Sequence, residues 1–167
     1  MAKEKALILK TPRDIRVPVL TREQYAEIRS IRLALEGLAA ETAAGKVTAE
    51  QLQMLERNIR DNLEAVHCGD LIAALKLNQA FHFALADIAG MPLLRDMLDS
   101  LWMRTGPLIA RAYGDFSERM AVEHHWEVLR ALEKGDGTAA RQAICTDILD
   151  GNQKMMELIA RREATLA

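Results

Sequence analysis

Helix start and stop signals recur along the chain from Thr21 onward, and they restrict the possible fold more than any other feature. Residues 21–24 (TREQ) and 48–51 (TAEQ) both follow the capping-box pattern, in which threonine and glutamine side chains satisfy free amides of the first helical turn. Glycines typical of helix ends follow the apolar stretches at Gly45, Gly69, Gly90 and Gly135. These signals predict a chain of helices with short connections.

We predict six helices, over residues 21–44, 48–67, 70–89, from 92 with a bend or break at 106–107, 115–134 and 136–161. Asp70, Asp115 and Asp136 are the expected caps of the third, fifth and sixth helices. No stretch alternates between polar and apolar residues, so no strand is predicted. Residues 11–20 read as an extended linker because Pro12 and Pro18 disfavour helix before them. The prediction is an all-α antiparallel helical bundle over residues 21–167, preceded by a tail or linker over residues 1–20.

Composition agrees with a helical core, because half of the residues are hydrophobic but only 4% are aromatic. No apolar run approaches the roughly 18 residues that span a bilayer, and the N-terminus lacks the pattern of a signal peptide. Cys68 and Cys145 show no metal-binding or disulfide spacing. A cytoplasmic protein is expected.

The net charge of −2 argues against a domain that grips nucleic acid by itself. The charge is uneven, because residues 1–22 carry six basic and two acidic side chains. This basic segment is either a solvated tail or the connection to a part that touches DNA.

The third predicted helix places two polar residues on a largely apolar face. Asn78 and His82 are one turn apart, in line with Leu75 and Leu85. A buried histidine with one amide partner usually has a structural role. A functional role requires matching groups from other helices.

Two later helices supply such groups. His124 and His125 are adjacent and point about 100° apart, so only one can face a common site. His125 shares its face with valine and leucine residues and is the inward candidate, whereas His124 is expected at the surface or rim. Asp147 is either an exposed acid or an inward carboxylate, and the second case needs a partner.

His82, His125 and Asp147 together form a two-histidine, one-carboxylate set, with the Asn78 side-chain oxygen as a possible fourth donor. Such a set suits a divalent metal ion, with Zn²⁺ or Ni²⁺ favoured and Mn²⁺ or Fe²⁺ as alternatives.

The chain resembles the FCD ligand-binding domain of FadR-type GntR transcriptional regulators over about residues 20–158. The motifs that carry the resemblance are the R-x-x-L-E element within YAEIRSIRLALEGLAAETAA, the Phe-His helix NQAFHFALADIAGMPLL, and EHHWEVLRALEKGDGTAARQAI. The family's metal ligands, an aspartate and three histidines, map onto Asn78, His82, His125 and Asp147. Two positions depart from the pattern, since the aspartate is replaced by Asn78 and the last histidine by Asp147. One carboxylate is therefore kept but lies on another helix.

The resemblance implies a dimeric effector sensor that binds a small organic acid at or near the metal, with Arg32 and Arg104 as candidate contacts to the acid. It also implies a winged-helix DNA-binding part, for which residues 1–20 leave no room, so no specific DNA binding is expected of this chain. Two other functions stay open. A two-histidine, one-carboxylate site could belong to a metal-dependent enzyme, and the Ala-rich faces could serve a dimerisation module without a ligand.

Overall fold

The computed structural model describes residues 8–11, 14–16, 20–112 and 122–166 of the chain. Two short strands and seven helices occur there: β1 (Ile8–Thr11), β2 (Asp14–Arg16), α1 (Arg22–Ala43), α2 (Ala49–His67), α3 (Leu71–Ala89), α4 (Pro92–Ala112), α5 (His124–Glu133), α6 (Gly137–Asp150) and α7 (Asn152–Leu166). The predicted all-α bundle is confirmed. In these described ranges, no helix combines the length and the apolar character needed to cross a membrane.

The predicted starts of α1, α2, α3 and α6 are confirmed in atomic detail. The Thr21 hydroxyl accepts a hydrogen bond from the Gln24 amide, and the Gln24 side chain accepts one from the Thr21 amide. Thr48 and Gln51 repeat this pair of bonds at the start of α2. At the starts of α3 and α6, the side chains of Asp70 and Asp136 each accept one hydrogen bond from the backbone N–H three residues further on. These caps fix where α1, α2, α3 and α6 begin, and hence the position of each inward side chain along the axis of its helix.

Two predicted helix features are wrong. The last predicted helix is two helices, α6 and α7, separated at Gly151, because Asp150, Gly151 and Asn152 are three successive poor helix formers. By contrast, the predicted break in α4 is absent, because the helix runs unbroken through Pro107, whereas the alternative of a bend there stays a prediction. Thr105 and Ile109 are buried on both sides of the proline, and their packing holds the helix across the missing hydrogen bond.

The expectation of no strands is also wrong, since β1 and β2 pair in antiparallel fashion within the tail. Strands of four and three residues are too short for an alternating pattern to be recognised. The predicted cap Asp115 and the first part of the predicted fifth helix lie outside the described residues.

The helices pack so that α1, α3, α5 and α6 face a common interior. α1 contacts α3, α4 and α6, while α5 packs on both α2 and α6. Gly137 allows the start of α6 to approach α1 closely, because a Cβ atom there would lie 2.8 Å from the Glu41 carbonyl oxygen. The core between these helices contains Phe81, Leu85, Val128 and Ile144. The same interior also holds polar side chains.

Candidate metal centre

Three predicted ligands, one from each of α3, α5 and α6, meet in the interior. Ligand atoms of His82, His125 and Asp147 all lie within 4.8 Å of one another. His82 Nε2 is 3.2 Å from Asp147 Oδ2, and His125 Nε2 is 3.7 Å from Asp147 Oδ1. Both histidines are almost fully buried, and Asp147 is 11% exposed. The carboxylate therefore lies between the two rings, so that one ion could contact all three side chains.

The second ring nitrogen of His82 is held by a residue that the sequence analysis did not assign to the site. His82 Nδ1 lies 2.5 Å from Glu36 Oε2, and the Glu36 carboxylate also accepts a hydrogen bond from Arg32 Nε at 2.5 Å. Metal-binding histidines commonly donate their other ring N–H to a carboxylate, which fixes the tautomer and the ring orientation. Arg32 and Glu36 are the charged residues of the R-x-x-L-E element, and this motif was the available signal.

The buried charges of this network compensate one another. Burial alone raises the pKa of Glu36, but the Arg32 guanidinium and the His82 ring outweigh burial and lower it. Burial alone lowers the pKa of His82, but the carboxylates of Glu36 and Asp147 outweigh burial and raise it. Without a metal ion, His82 is therefore a cation between two anions, and Arg32 balances the second negative charge.

His125 has a different environment. Its ring stacks on Phe81 with 4.0 Å between ring centroids, and neither of its nitrogens has a hydrogen-bond partner in the described part of the chain. Burial lowers the pKa of His125 to about 4, and the Asp147 carboxylate opposes this only in part. The ring is thus neutral near pH 7, which is the form that binds a metal.

The structure corrects the prediction for His124, which is buried rather than at the surface or rim. His124 Nδ1 lies 2.9 Å from Glu127 Oε2, and Nε2 lies 2.7 Å from Asp150 Oδ2. The inward assignment of its neighbour His125 was right. Glu127 and Asp150, which the sequence analysis did not assign to the site, are the partners that allow His124 to be buried.

The other predicted site residues surround this cluster to different degrees. Asn78 is buried one helical turn before His82. Arg32 is buried between Glu36 and the Trp102 ring, whose centroid lies 4.4 Å from the guanidinium carbon. Arg104 is half-buried on α4. Arg32 is thus engaged with Glu36 in this structure, and contacts of Arg32 or Arg104 with an acid stay predictions.

The residues present fit a divalent cation. Two buried imidazole nitrogens without partners are unfavourable, costing about 1–3 kcal/mol for each unsatisfied group. An ion between His125, His82 and Asp147 would satisfy one of them and neutralise the carboxylate. Two nitrogen donors and one oxygen donor match the preferences of Zn²⁺ and Ni²⁺.

The interior of this all-α bundle therefore holds two buried histidines and an inward carboxylate in addition to its apolar core. The family model of the FCD domain matches residues 27–150. The chain therefore belongs to the FCD domain family, as its motifs predicted.

The relatives are transcriptional regulators. The HTH-type transcriptional regulator McbR of Escherichia coli K12 is 28% identical over 131 residues, covering 77% of this chain and 59% of McbR. The HTH-type transcriptional repressor RspR of the same organism is 26% identical over 137 residues, covering 80% of this chain and 60% of RspR. This chain thus spans about three fifths of the length of these relatives. Their names support a regulatory domain and not an enzyme.

Solved structures show the same architecture. The structure of E. coli McbR/YncC superposes with a TM-score of 0.82 at 25% identity, covering 94% of this chain and 80% of that one. The structure of Streptococcus agalactiae GntR superposes with a TM-score of 0.62 at 23% identity, covering 89% of this chain and 75% of that one. This second similarity concerns the fold alone.

Proposed function

We propose that this chain is the effector-binding domain of a GntR-family transcriptional regulator and that it senses a small organic acid through a divalent metal ion. The metal ligands are His82, His125 and Asp147, and the Asn78 amide oxygen is available as a fourth donor. The observation that carries the proposal is the fully buried His125 ring, whose nitrogens have no partner in the described structure while one of them faces Asp147.

The charge of the site supports an anionic effector. A divalent cation held by His82 would take the place of the proton that His82 carries in the metal-free protein, because a coordinating imidazole is neutral. Asp147 and Glu36 then contribute two negative charges, while the ion and Arg32 contribute three positive ones. One positive charge is left over in a buried environment, where uncompensated charge is costly. A single carboxylate of an organic acid would neutralise it.

The link to DNA is proposed for the whole regulator and not for this domain. McbR and RspR carry the description HTH-type, and this chain spans 59% and 60% of their lengths. The site of this chain connects helices α1, α3, α5 and α6, so an effector bound there can shift these helices relative to one another. We propose that a homodimer of such domains transmits the shift to DNA-binding parts.

Binding of the Zn²⁺ ion and binding of the organic acid should each raise the temperature of thermal unfolding. At a Zn²⁺ concentration 100 times its dissociation constant, we expect about 2.7 kcal/mol of stabilisation, which corresponds to a Tm increase of roughly 5–10 °C. The measurement is differential scanning fluorimetry of chelator-treated protein, first with Zn²⁺ and then with a panel of mono- and dicarboxylates.

The order of addition separates the two parts of the proposal. At least one carboxylate should raise Tm further when Zn²⁺ is present and leave Tm unchanged when the protein is metal-free. The neutral amide analogue of that carboxylate should leave Tm unchanged in both cases. A carboxylate that stabilises metal-free protein equally well would contradict binding through the metal.

A further inference from the structure

The two ligand histidines are held in position by different means. His82 donates its other ring N–H to Glu36 on α1. No such partner holds His125, since both of its nitrogens lack hydrogen bonds in the described part of the chain. Its ring stacks on Phe81 and lies edge-on to the His82 ring, with 5.3 Å between the two imidazole centroids. The position of the His125 ring relative to Asp147 therefore depends on this packing and on how α5 is held against α6.

His124 links α5 to α6. Its ring reaches Asp150, the last residue of α6, and also contacts Glu127 one turn further along α5. Both ring nitrogens lie within hydrogen-bond distance of carboxylate oxygens. The hydrogen bond between His124 and Asp150 joins α5 to the last turn of α6.

We propose that the His124–Asp150 hydrogen bond positions His125 and Asp147 to share one metal ion, an inference that rests on the proposed metal site. His124 is adjacent to His125 on α5, and Asp150 is one turn beyond Asp147 on α6. The hydrogen bond therefore lies beside the His125–Asp147 contact and, together with the packing of α5 on α6, sets the spacing of the two helices there. That contact is 3.7 Å long and makes no hydrogen bond of its own.

The two partners of His124 form a matched pair for testing this role. Glu127 and Asp150 are equally exposed, at 42% each, and both contact the same ring. Asp150 connects two helices, whereas Glu127 lies on the same helix as His124. Loss of either carboxylate removes one partly exposed contact to the His124 ring, which contributes little to folding stability. A positioning role and a merely stabilising role therefore predict different results.

The experiment measures the Zn²⁺ dissociation constant of the full chain by competition with a chromophoric chelator. Asp150→Ala should weaken Zn²⁺ binding by about 10–100-fold, the range found when outer partners of metal ligands are removed. Glu127→Ala should leave the dissociation constant unchanged. Co²⁺-substituted Asp150→Ala protein should also show an altered visible absorption spectrum, which a loss of stability alone would not produce.

A double-mutant cycle completes the test. His124→Ala and Asp150→Ala should each weaken binding, and the double variant should weaken it no more than the stronger single variant does, because the pair acts as one unit. Equal Zn²⁺ affinity of Asp150→Ala and wild type would overturn the positioning role while leaving the proposed site intact. Failure of the wild type to bind Zn²⁺ would overturn both. If His124→Ala does not fold, the comparison of Asp150→Ala with Glu127→Ala decides alone.

Discussion

Replacing His125 with phenylalanine is expected to weaken Zn²⁺ binding by more than about 100-fold, beyond the loss typical of outer partners. The variant removes a proposed ligand but keeps an aromatic ring to stack on Phe81. It also removes two buried nitrogens without partners, so the metal-free variant should be as stable as wild type or more stable, by up to about 1–3 kcal/mol. Chelator competition gives the affinity, and urea unfolding gives the free energy of unfolding.

The combination of lost affinity and retained stability is what distinguishes a ligand from a structural histidine. His67→Phe is the matched control, because His67 is exposed at the end of α2, a helix that supplies none of the proposed ligands. It should leave Zn²⁺ affinity unchanged. A His125→Phe protein that binds Zn²⁺ as wild type does, or one that is strongly destabilised, would show that His125 has a packing role instead.

Glu36→Gln is expected to lower the free energy of unfolding by about 3–5 kcal/mol, the typical cost of removing one partner from a buried ion pair. Glu36 is 1% exposed and contacts both Arg32 and His82. Without its negative charge, two buried cationic groups share only the Asp147 carboxylate. Urea unfolding of metal-free protein near pH 7 measures the loss.

Glu41→Gln is the control for this prediction. Glu41 forms an ion pair with Arg141 between α1 and α6, as Glu36 joins α1 to α3, but its side chain is 44% exposed. An exposed pair of this kind is worth about 0–1 kcal/mol. If Glu36→Gln were no more destabilising than Glu41→Gln, the charged network around His82 would not contribute to the fold as described.

Local chemistry explains which parts of the fold could be predicted. The capping boxes at Thr21 and Thr48 involve residues three positions apart, so the sequence contains everything needed to place the starts of α1 and α2. The continuity of α4 through Pro107 depends on packing against other helices. Such contacts join residues far apart in the chain, and local patterns do not contain them.

The residues of the candidate site also differ in whether local sequence patterns could predict them. His82, His125 and Asp147 could be predicted because each is a polar residue on an otherwise apolar helical face. Glu36 and Asp150 were missed as site residues, because their roles come from partners 46 and 26 positions away in the chain. His124 was misplaced for the same reason. Without its two carboxylates it would indeed belong at the surface.

The most direct test of the metal site is the X-ray absorption spectrum of the full chain loaded with one equivalent of Zn²⁺. The proposed ligands predict nitrogen and oxygen neighbours at about 2.0–2.2 Å, with the multiple scattering of two imidazole rings in wild type and of one in His125→Phe. A sulfur neighbour at about 2.3 Å, or a shell of oxygen atoms without imidazole scattering, would contradict binding by His82, His125 and Asp147.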